Sequence, residues 1–226
     1  MSISVHHAPP FLFLALLPYV YASQVSFFPP KKSLLTPKID AYIISQLSQW
    51  NSSGLAVAVV KKEEGSWNVE FGSYGQAKAT GAPVTPDTVF AIASDSKLFL
   101  SIAVGLLIKN ESLAAQRGET LRWDTKIATL LPEWGLMDPE MQRGVTIQDM
   151  LSHRTGMPPH DYSGYARVGG VPEMISTLRF LRPAAALRER YQYNNLMYET
   201  LSHLPPTLLN QSFESYIAEH IFTPLE

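Results

Sequence analysis

Two residues that together could do nucleophilic chemistry, Ser94 and Lys97, stand three positions apart just before an apolar run over residues 98–108. Residues at this spacing share one face of a helix, so the amine of Lys97 can reach the hydroxyl oxygen of Ser94. A serine hydroxyl is a weak nucleophile until a neighbouring base takes its proton. The spacing therefore predicts an activated serine, although a polar helix cap followed by a surface lysine would produce the same letters.

Two more blocks accompany this pair in the chain. Residues 85–97 read TPDTVFAIASDSK, residues 145–158 read VTIQDMLSHRTGMP, and residues 191–198 read YQYNNLMY. In this order the three blocks resemble the serine β-lactamase-related family, which includes class C β-lactamases, D-alanyl-D-alanine carboxypeptidases, penicillin-binding proteins and related esterases. The resemblance extends from about residue 55 to about residue 225. It implies an α/β fold of the β-lactamase and transpeptidase type.

The resemblance also implies a role for each of four residues. Ser94 is the expected nucleophile, Lys97 its proton acceptor, Tyr193 a second general base or acid, and Asn195 an amide that orients the substrate. Acyl transfer needs a base for the serine proton and an acid for the leaving group. A phenol has an ordinary pKa of about 10, so Tyr193 acts as a base near neutrality only beside a stabilising ammonium. The expected substrate is a small ester, amide or peptide, and no cofactor is implied.

The family's third motif, a Lys-Thr-Gly or His-x-Gly triplet on a later strand, has no counterpart in this sequence. We therefore expect an N-terminal antiparallel hairpin and a helical region, without the C-terminal strands of the sheet. One oxyanion donor of the family comes from that strand, and losing one such donor lowers a rate by about 100-fold to 1000-fold. Two functions stay open. One is a secreted serine hydrolase with an acyl-enzyme on Ser94, and the other is a catalytically inactive secreted fragment or binding protein that keeps the scaffold.

The N-terminus carries an apolar stretch over residues 11–21, which is shorter than the run of about 20 apolar residues that spans a bilayer. Because it ends at Ala22 with small or aliphatic residues before it, we expect a signal peptide over residues 1–22 and a β-lactamase-related domain over residues 23–226. A buried N-terminal helix and an uncleaved anchor are the alternatives. The sequence also has N-glycosylation sequons at Asn51, Asn110 and Asn210. These signals favour an extracellular glycoprotein.

Composition narrows the possible functions. The 226 residues have a formal net charge of −2, which gives no electrostatic footprint for nucleic acid or an anionic membrane. The chain has no cysteine, so it forms no disulfide and no thiolate metal site. His153, His160 and Asp161 lie near one another in sequence, but histidines on either side of a double proline are usually incidental, and we predict no metal site.

Local patterns predict the elements that position these residues. Thr36 and Pro37 begin a helix that extends to about Trp50. Residues 55–60 form a buried apolar strand, which pairs with residues 67–71 in a hairpin around a charged turn at residues 61–65. The run at residues 98–108 is a buried core helix. A capping box starts a short helix at residues 146–149, Gly156 ends that turn, and a last amphipathic helix covers residues 213–221. We expect His153 to satisfy buried backbone groups rather than to take part in chemistry.

Overall fold

The computed structural model describes residues 33–63, 65–164 and 168–225. The chain divides between Phe90 and Ala91 into two compact units, which are described separately. The expected signal peptide lies outside the described residues and stays a prediction. The fold is α/β, with one antiparallel hairpin and many helices.

The first unit begins with helix α1, Pro37–Gln49. The side chain of Thr36 caps it by accepting a hydrogen bond from the Ile39 N–H at 3.4 Å, and Pro37 occupies the first turn, where its missing N–H costs nothing. These contacts confirm the helix predicted from the sequence. The Tyr74 hydroxyl donates to Asp40 at 2.6 Å, which fixes α1 on the hairpin that follows.

The hairpin consists of β1, Gly54–Glu63, and β2, Ser66–Gly75, paired antiparallel with Glu63 opposite Ser66. The predicted hairpin is confirmed, but its connection is shorter than the predicted charged turn, because residues 61–63 continue the strand pairing. Gly65 lies in the connection with φ +84°, a conformation that glycine adopts without steric cost.

The prediction that β1 is buried is wrong. Val60 is 58% exposed, and on the same face of β2 the side chains of Trp67 and Phe71 are each 62% exposed. Helix α1 and the residues before it contact the opposite face, where Tyr74 and Gly72 lie. An apolar strand sequence predicts a face suited to burial, but burial itself depends on what covers that face.

The second unit begins with a 3₁₀ turn, Ala93–Asp95, which leads directly into α2, Ser96–Ile108. One face of α2 is buried through Leu100, Ala103, Val104 and Leu107. The opposite face is not, since Leu98 is 62% exposed, so the predicted core helix is buried on one side only. Within the described residues no single helix is long and apolar enough to cross a membrane, and the bent pair 93–108 and 111–117 meets the length and composition criteria only when its two helices are combined.

The remaining elements of the second unit are short helices. They are α3 Glu111–Arg117, α4 Pro139–Gly144, α5 Ile147–Leu151, α6 Gly170–Thr177, α7 Asn195–Ser202, α8 Leu204–Leu209 and α9 Phe213–Ile217, which continues into a π-helical turn, Ala218–Phe222. Helix α7 packs against α2, α5 and α6, and its side chains Met197 and Leu201 are fully buried. The start of α7 is therefore held close to the helices that surround it.

Helix α5 starts with the predicted capping box, because Thr146 accepts from the Asp149 N–H and the Asp149 carboxylate accepts from the Thr146 N–H. The chain leaves α5 in two left-handed residues, His153 at φ +57° and Gly156 at φ +79°. A Cβ on Gly156 would lie 2.3 Å from the carbonyl oxygen of Ala185, so only glycine fits this close approach. The predicted glycine turn is confirmed, although the helix itself ends at Leu151.

Candidate active site

Ser94 lies in the 3₁₀ turn at the N-terminal end of α2, and its side chain is exposed. The residue before it, Ala93, has φ +45°, a left-handed conformation that costs a residue with a Cβ about 1–2 kcal/mol. Such local strain persists only where surrounding contacts hold it, and it is concentrated at functional sites. The sequence predicted a helical face shared with Lys97, and the structure places Ser94 just ahead of that helix.

The amine of Lys97 reaches the serine, as predicted. Its Nζ donates to Ser94 Oγ at 3.2 Å and to Asn195 Oδ1 at 2.7 Å. The same nitrogen lies 4.8 Å from the ring centroid of Tyr193 and 5.3 Å from that of Tyr198. Two hydrogen bonds and two aromatic rings therefore hold the ammonium beside the serine oxygen.

Tyr193 contacts the same serine oxygen from the other side. Its Oη lies 2.6 Å from Ser94 Oγ, and either hydroxyl is able to donate in that hydrogen bond. The hydrogen-bond interaction with Lys97 lowers the pKa of Tyr193 most, and the hydrogen bond with Ser94 lowers it further. This is the direction that a phenol needs if it is to exchange protons near neutral pH.

Asn195 is the first residue of α7, and its half-buried amide joins two charged side chains. Its oxygen accepts from Lys97, while its nitrogen donates to Asp161 Oδ1 at 2.9 Å. Asp161 is exposed and begins a 3₁₀ turn, Asp161–Gly164. The polar chain therefore runs from Ser94 through Lys97 and Asn195 to a carboxylate that faces solvent.

The position of Tyr193 and Asn195 is set by the residue between them. Asn194 is fully buried, and its side-chain oxygen caps α7 by accepting from the Met197 N–H at 3.2 Å. Its nitrogen donates to the carbonyl oxygens of Met157 at 2.9 Å and Pro158 at 3.0 Å. Asn194 thus ties the start of α7 to the turn that precedes Asp161.

His153 contacts the same segment of the chain at Tyr193 and Asn194. Its Nδ1 accepts from the Asn194 N–H at 3.1 Å, and its ring lies 4.6 Å from that of Tyr193 and 5.0 Å from that of Tyr198. Burial lowers the pKa of His153, and the positive charge of Lys97 lowers it further. The expected role in satisfying a buried backbone group is confirmed.

An ion pair between the half-exposed Arg188 and the buried Asp149 holds the segment before Tyr193. Arg188, at φ +66°, donates from Nε to Asp149 Oδ1 at 2.7 Å and from Nη2 to Asp149 Oδ2 at 2.8 Å. Burial raises the pKa of Asp149, but hydrogen bonds from Arg188 and Thr146 outweigh it and leave the pKa below its usual value. The Gln192 N–H then donates to the His153 carbonyl at 2.7 Å. These contacts fix the path of the chain into Tyr193.

All four residues predicted from the sequence meet at this site. Asn194 and Asp161 also belong to it, although no sequence pattern predicted a role there for either residue. The cap signal of an asparagine before an apolar helix could have identified Asn194, but no local signal links Asp161 to Asn195 across 34 positions. A surface pocket of about 510 Å³, lined by Asp138, Met141 and others, contains none of these site residues.

The chain matches the model of the Beta-lactamase family over residues 39–226. It belongs to the Beta-lactamase family. The family's members are therefore the relevant comparison for the site, which lies entirely inside the matched residues.

Among characterised relatives in this family, unguisins hydrolase ungD of Aspergillus violaceofuscus is 34% identical over 188 residues, which cover 81% of this chain and 32% of that protein. Penicillin-binding protein 4 of Amycolatopsis lactamdurans is 29% identical over 154 residues, which cover 66% of this chain and 37% of that protein. The chain thus spans about a third of the length of each of these two relatives.

Solved structures of other proteins share the fold. The octameric penicillin-binding protein homologue of Pyrococcus abyssi aligns with a TM-score of 0.68 at 22% identity, over 83% of this chain and 42% of that one. The D-amino acid amidase of Ochrobactrum anthropi, complexed with L-phenylalanine, aligns with a TM-score of 0.62 at 22% identity, over 80% of this chain and 49% of that one. At these identities the likeness shows a common β-lactamase and transpeptidase-like architecture.

Proposed function

We propose that this chain is a serine hydrolase that cleaves an ester or amide bond through an acyl-enzyme on Ser94. The observation that supports this most is the double contact of Ser94 Oγ, with Tyr193 Oη at 2.6 Å and Lys97 Nζ at 3.2 Å. A serine becomes a useful nucleophile when a base is in hydrogen-bond reach, and here two proton carriers touch the same oxygen.

In the proposed acylation, the Ser94 proton passes to the phenolate form of Tyr193 or to the neutral amine form of Lys97 while Oγ forms a bond to the substrate carbonyl carbon. The tetrahedral intermediate then collapses, and the bond to the alcohol or amine breaks as that leaving group takes a proton from Tyr193. In the second half of the reaction water attacks the acyl-enzyme and gives a proton to the phenolate of Tyr193. The bond between the acyl carbon and Ser94 Oγ then breaks, Oγ regains a proton from Tyr193 or Lys97, and the acid is released. The lowered pKa of Tyr193 favours this shuttling, because a phenol near its ordinary pKa of about 10 would stay protonated.

An amide is the favoured substrate bond. The names of two similar proteins, an unguisins hydrolase and a D-amino acid amidase, support hydrolysis and an amide bond respectively. The half-buried amide of Asn195 beside the nucleophile is suited to orient a carbonyl or an amide N–H of such a substrate. We also propose that the protein is secreted and glycosylated, on the strength of the apolar residues 11–21 and the sequons.

The test is covalent capture on the full chain. The wild type, first shown to be folded by circular dichroism, is incubated with a penicillin and separately with an activated ester, and its intact mass is measured beside Ser94→Ala. We expect an added acyl mass on the wild type that is absent from Ser94→Ala. In Tyr193→Phe the rate of labelling falls by about 10²-fold to 10⁴-fold, the usual contribution of a general acid or base.

A folded wild type that gains no adduct with either reagent would contradict the proposal and favour the alternative, a binding protein that keeps the scaffold. An adduct of equal size on Ser94→Ala would contradict the assignment of the nucleophile. Secretion is tested on the same material, because a mature N-terminus at Ser23 is expected after export and retention of residues 1–22 would contradict it.

A further inference from the structure

An exposed carboxylate, Asp161, is connected to the candidate nucleophile through two side chains. Asp161 Oδ1 accepts from Asn195 Nδ2 at 2.9 Å, and Asn195 Oδ1 accepts from Lys97 Nζ at 2.7 Å. Lys97 in turn donates to Ser94 Oγ. The carboxylate therefore ends a polar chain that starts at the serine and reaches the surface.

The two charged neighbours fix which way the Asn195 amide faces. An ammonium only donates hydrogen bonds and a carboxylate only accepts them. The amide oxygen must therefore face Lys97 and the amide nitrogen must face Asp161, since the reverse orientation would break both bonds. Loss of either the Lys97 ammonium or the Asp161 carboxylate would leave the Asn195 amide free to rotate.

Asp161 also contributes charge close to the reacting atoms. Its negative charge raises the pKa of Tyr193, against the stronger lowering by Lys97. The charge of Asp161 therefore acts on the phenol of Tyr193, whose oxygen lies 2.6 Å from Ser94 Oγ. Lys97 is half-buried and directs its nitrogen at the serine and the amide, whereas Asp161 is exposed to solvent.

We propose that Asp161 is a positioning and specificity-determining residue that orients Asn195 and selects substrates by charge, favouring a cationic or neutral group near the scissile carbonyl over a carboxylate. This rests on the proposed hydrolase function. An exposed pair of charges contributes little, so each substrate charge alters kcat/KM by about twofold to fivefold. Salt screens such pairs, and the preference weakens as ionic strength rises.

The test uses three nitrophenyl phenylacetates that differ at the para position, which bears a trimethylammonium, a tert-butyl or a carboxylate group. The first two groups have the same shape, so they differ in charge alone. The full chain is assayed as wild type, Asp161→Asn, Asp161→Ala and Ser94→Ala. Asp124→Asn is the matched control, because it removes one negative charge beside Trp123, which lies against Gly105 in the last turns of α2. That point is about 16 Å along the helix axis from Ser94.

In Asp161→Asn the amide oxygen still accepts from Asn195, and kcat/KM for the neutral ester is the reference against which the two charged esters are compared. For the cationic ester kcat/KM falls about twofold to fivefold, and for the anionic ester it rises by a similar factor, so that their ratio changes roughly 4-fold to 25-fold. In Asp161→Ala the Asn195 amide also loses its orientation, and kcat for all three esters falls. Asp124→Asn leaves the ratio as in the wild type.

Each failure has a distinct signature. Hydrolysis that depends on Ser94 but shows the same charge ratio in wild type and Asp161→Asn overturns the role of Asp161 and leaves the proposed function standing. An equal change of ratio in Asp124→Asn also overturns it, because the effect would then come from net charge. Absence of Ser94-dependent hydrolysis of all three esters by the folded wild type counts against the proposed function and, with it, this assignment.

Discussion

Asn194, the buried residue between Tyr193 and Asn195, offers the sharpest test of which contacts position the site. Asn194→Ala removes three hydrogen bonds of the side chain, namely the cap accepted from the Met197 N–H and the bonds donated to the Met157 and Pro158 carbonyls. An N-cap contributes about 1 kcal/mol. Each donated bond contributes about 1 kcal/mol net. We therefore expect the free energy of unfolding to fall by about 3 kcal/mol.

A second variant divides that sum into its parts. Serine is a good N-cap residue, so Asn194→Ser keeps an acceptor for Met197 but loses both donated bonds. We expect it to cost about 2 kcal/mol, about 1 kcal/mol less than Asn194→Ala. Because folded proteins are stable by about 5–15 kcal/mol, both variants are expected to remain folded in the absence of denaturant.

The assay is urea unfolding followed by circular dichroism, with hydrogen exchange of the α7 amides as a local probe of the second unit. Covalent labelling of Ser94 by the activated ester is measured on the same variants, and it slows as Tyr193 loses its fixed position. A loss below about 1 kcal/mol in Asn194→Ala, or equal stability of the alanine and serine variants, would refute the reasoning from these hydrogen bonds.

Two other predictions concern the turn after α5. Gly156→Ala is expected to destabilise the protein by about 2–4 kcal/mol in urea unfolding, because its Cβ would lie 2.3 Å from the Ala185 carbonyl and its φ is positive. Gly118→Ala is the control for the backbone conformation alone, since Gly118 has φ +72° and its Cβ would have nothing within 4 Å. An equal loss of stability in both variants would contradict the effect of the close approach. Burial lowers the pKa of His153 below its usual value of about 6.5, so the unfolded chain binds a proton that the folded chain resists, and the free energy of unfolding decreases as pH falls below about 6.5. His153→Asn keeps an acceptor for the Asn194 N–H and tolerates the left-handed backbone, so this decrease is expected to be smaller; an unchanged pH dependence would count against it.

The elements that the sequence predicted correctly are those with a complete local signal. Thr36 and Pro37 start α1, and the spacing of Thr146 and Asp149 builds a capping box, because each pattern needs only neighbours within one helical turn. The approach of Lys97 to Ser94 has the same origin. The meeting with Tyr193 and Asn195 was instead implied by family resemblance, because no spacing rule connects positions about a hundred residues apart.

The predictions that were wrong concern burial and connection length. The apolar residues of β1 predicted a buried strand, yet Val60 is 58% exposed, because α1 contacts only the opposite face of the hairpin. The turn at residues 61–65 is shorter than its charges suggested, since Lys61 and Lys62 can pair in a strand while their side chains reach water. Side-chain type determines which environments a segment tolerates, and the surrounding elements determine whether it is buried or exposed.

The contacts at Asp161 show why part of the site was beyond sequence reasoning. Asn194 binds the carbonyls of Met157 and Pro158, and the next residue, Asn195, binds Asp161. Two adjacent asparagines therefore clamp one turn against the start of α7, each with its own partners. Either asparagine considered alone predicts a helix cap or a polar surface residue. Only their packing together places the Asp161 carboxylate at the site.

The site also depends on the packing of α2 against α7. Ser94 and Lys97 belong to the N-terminal end of α2, while Asn195 opens α7, and α2 packs against α7 through the buried core of the second unit. The geometry around Ser94 thus follows from helix packing between α2 and α7. A failure to acylate in a folded chain would accordingly favour a scaffold that binds without catalysis, because Ser94, Lys97 and Tyr193 would be in contact and still not support acyl transfer.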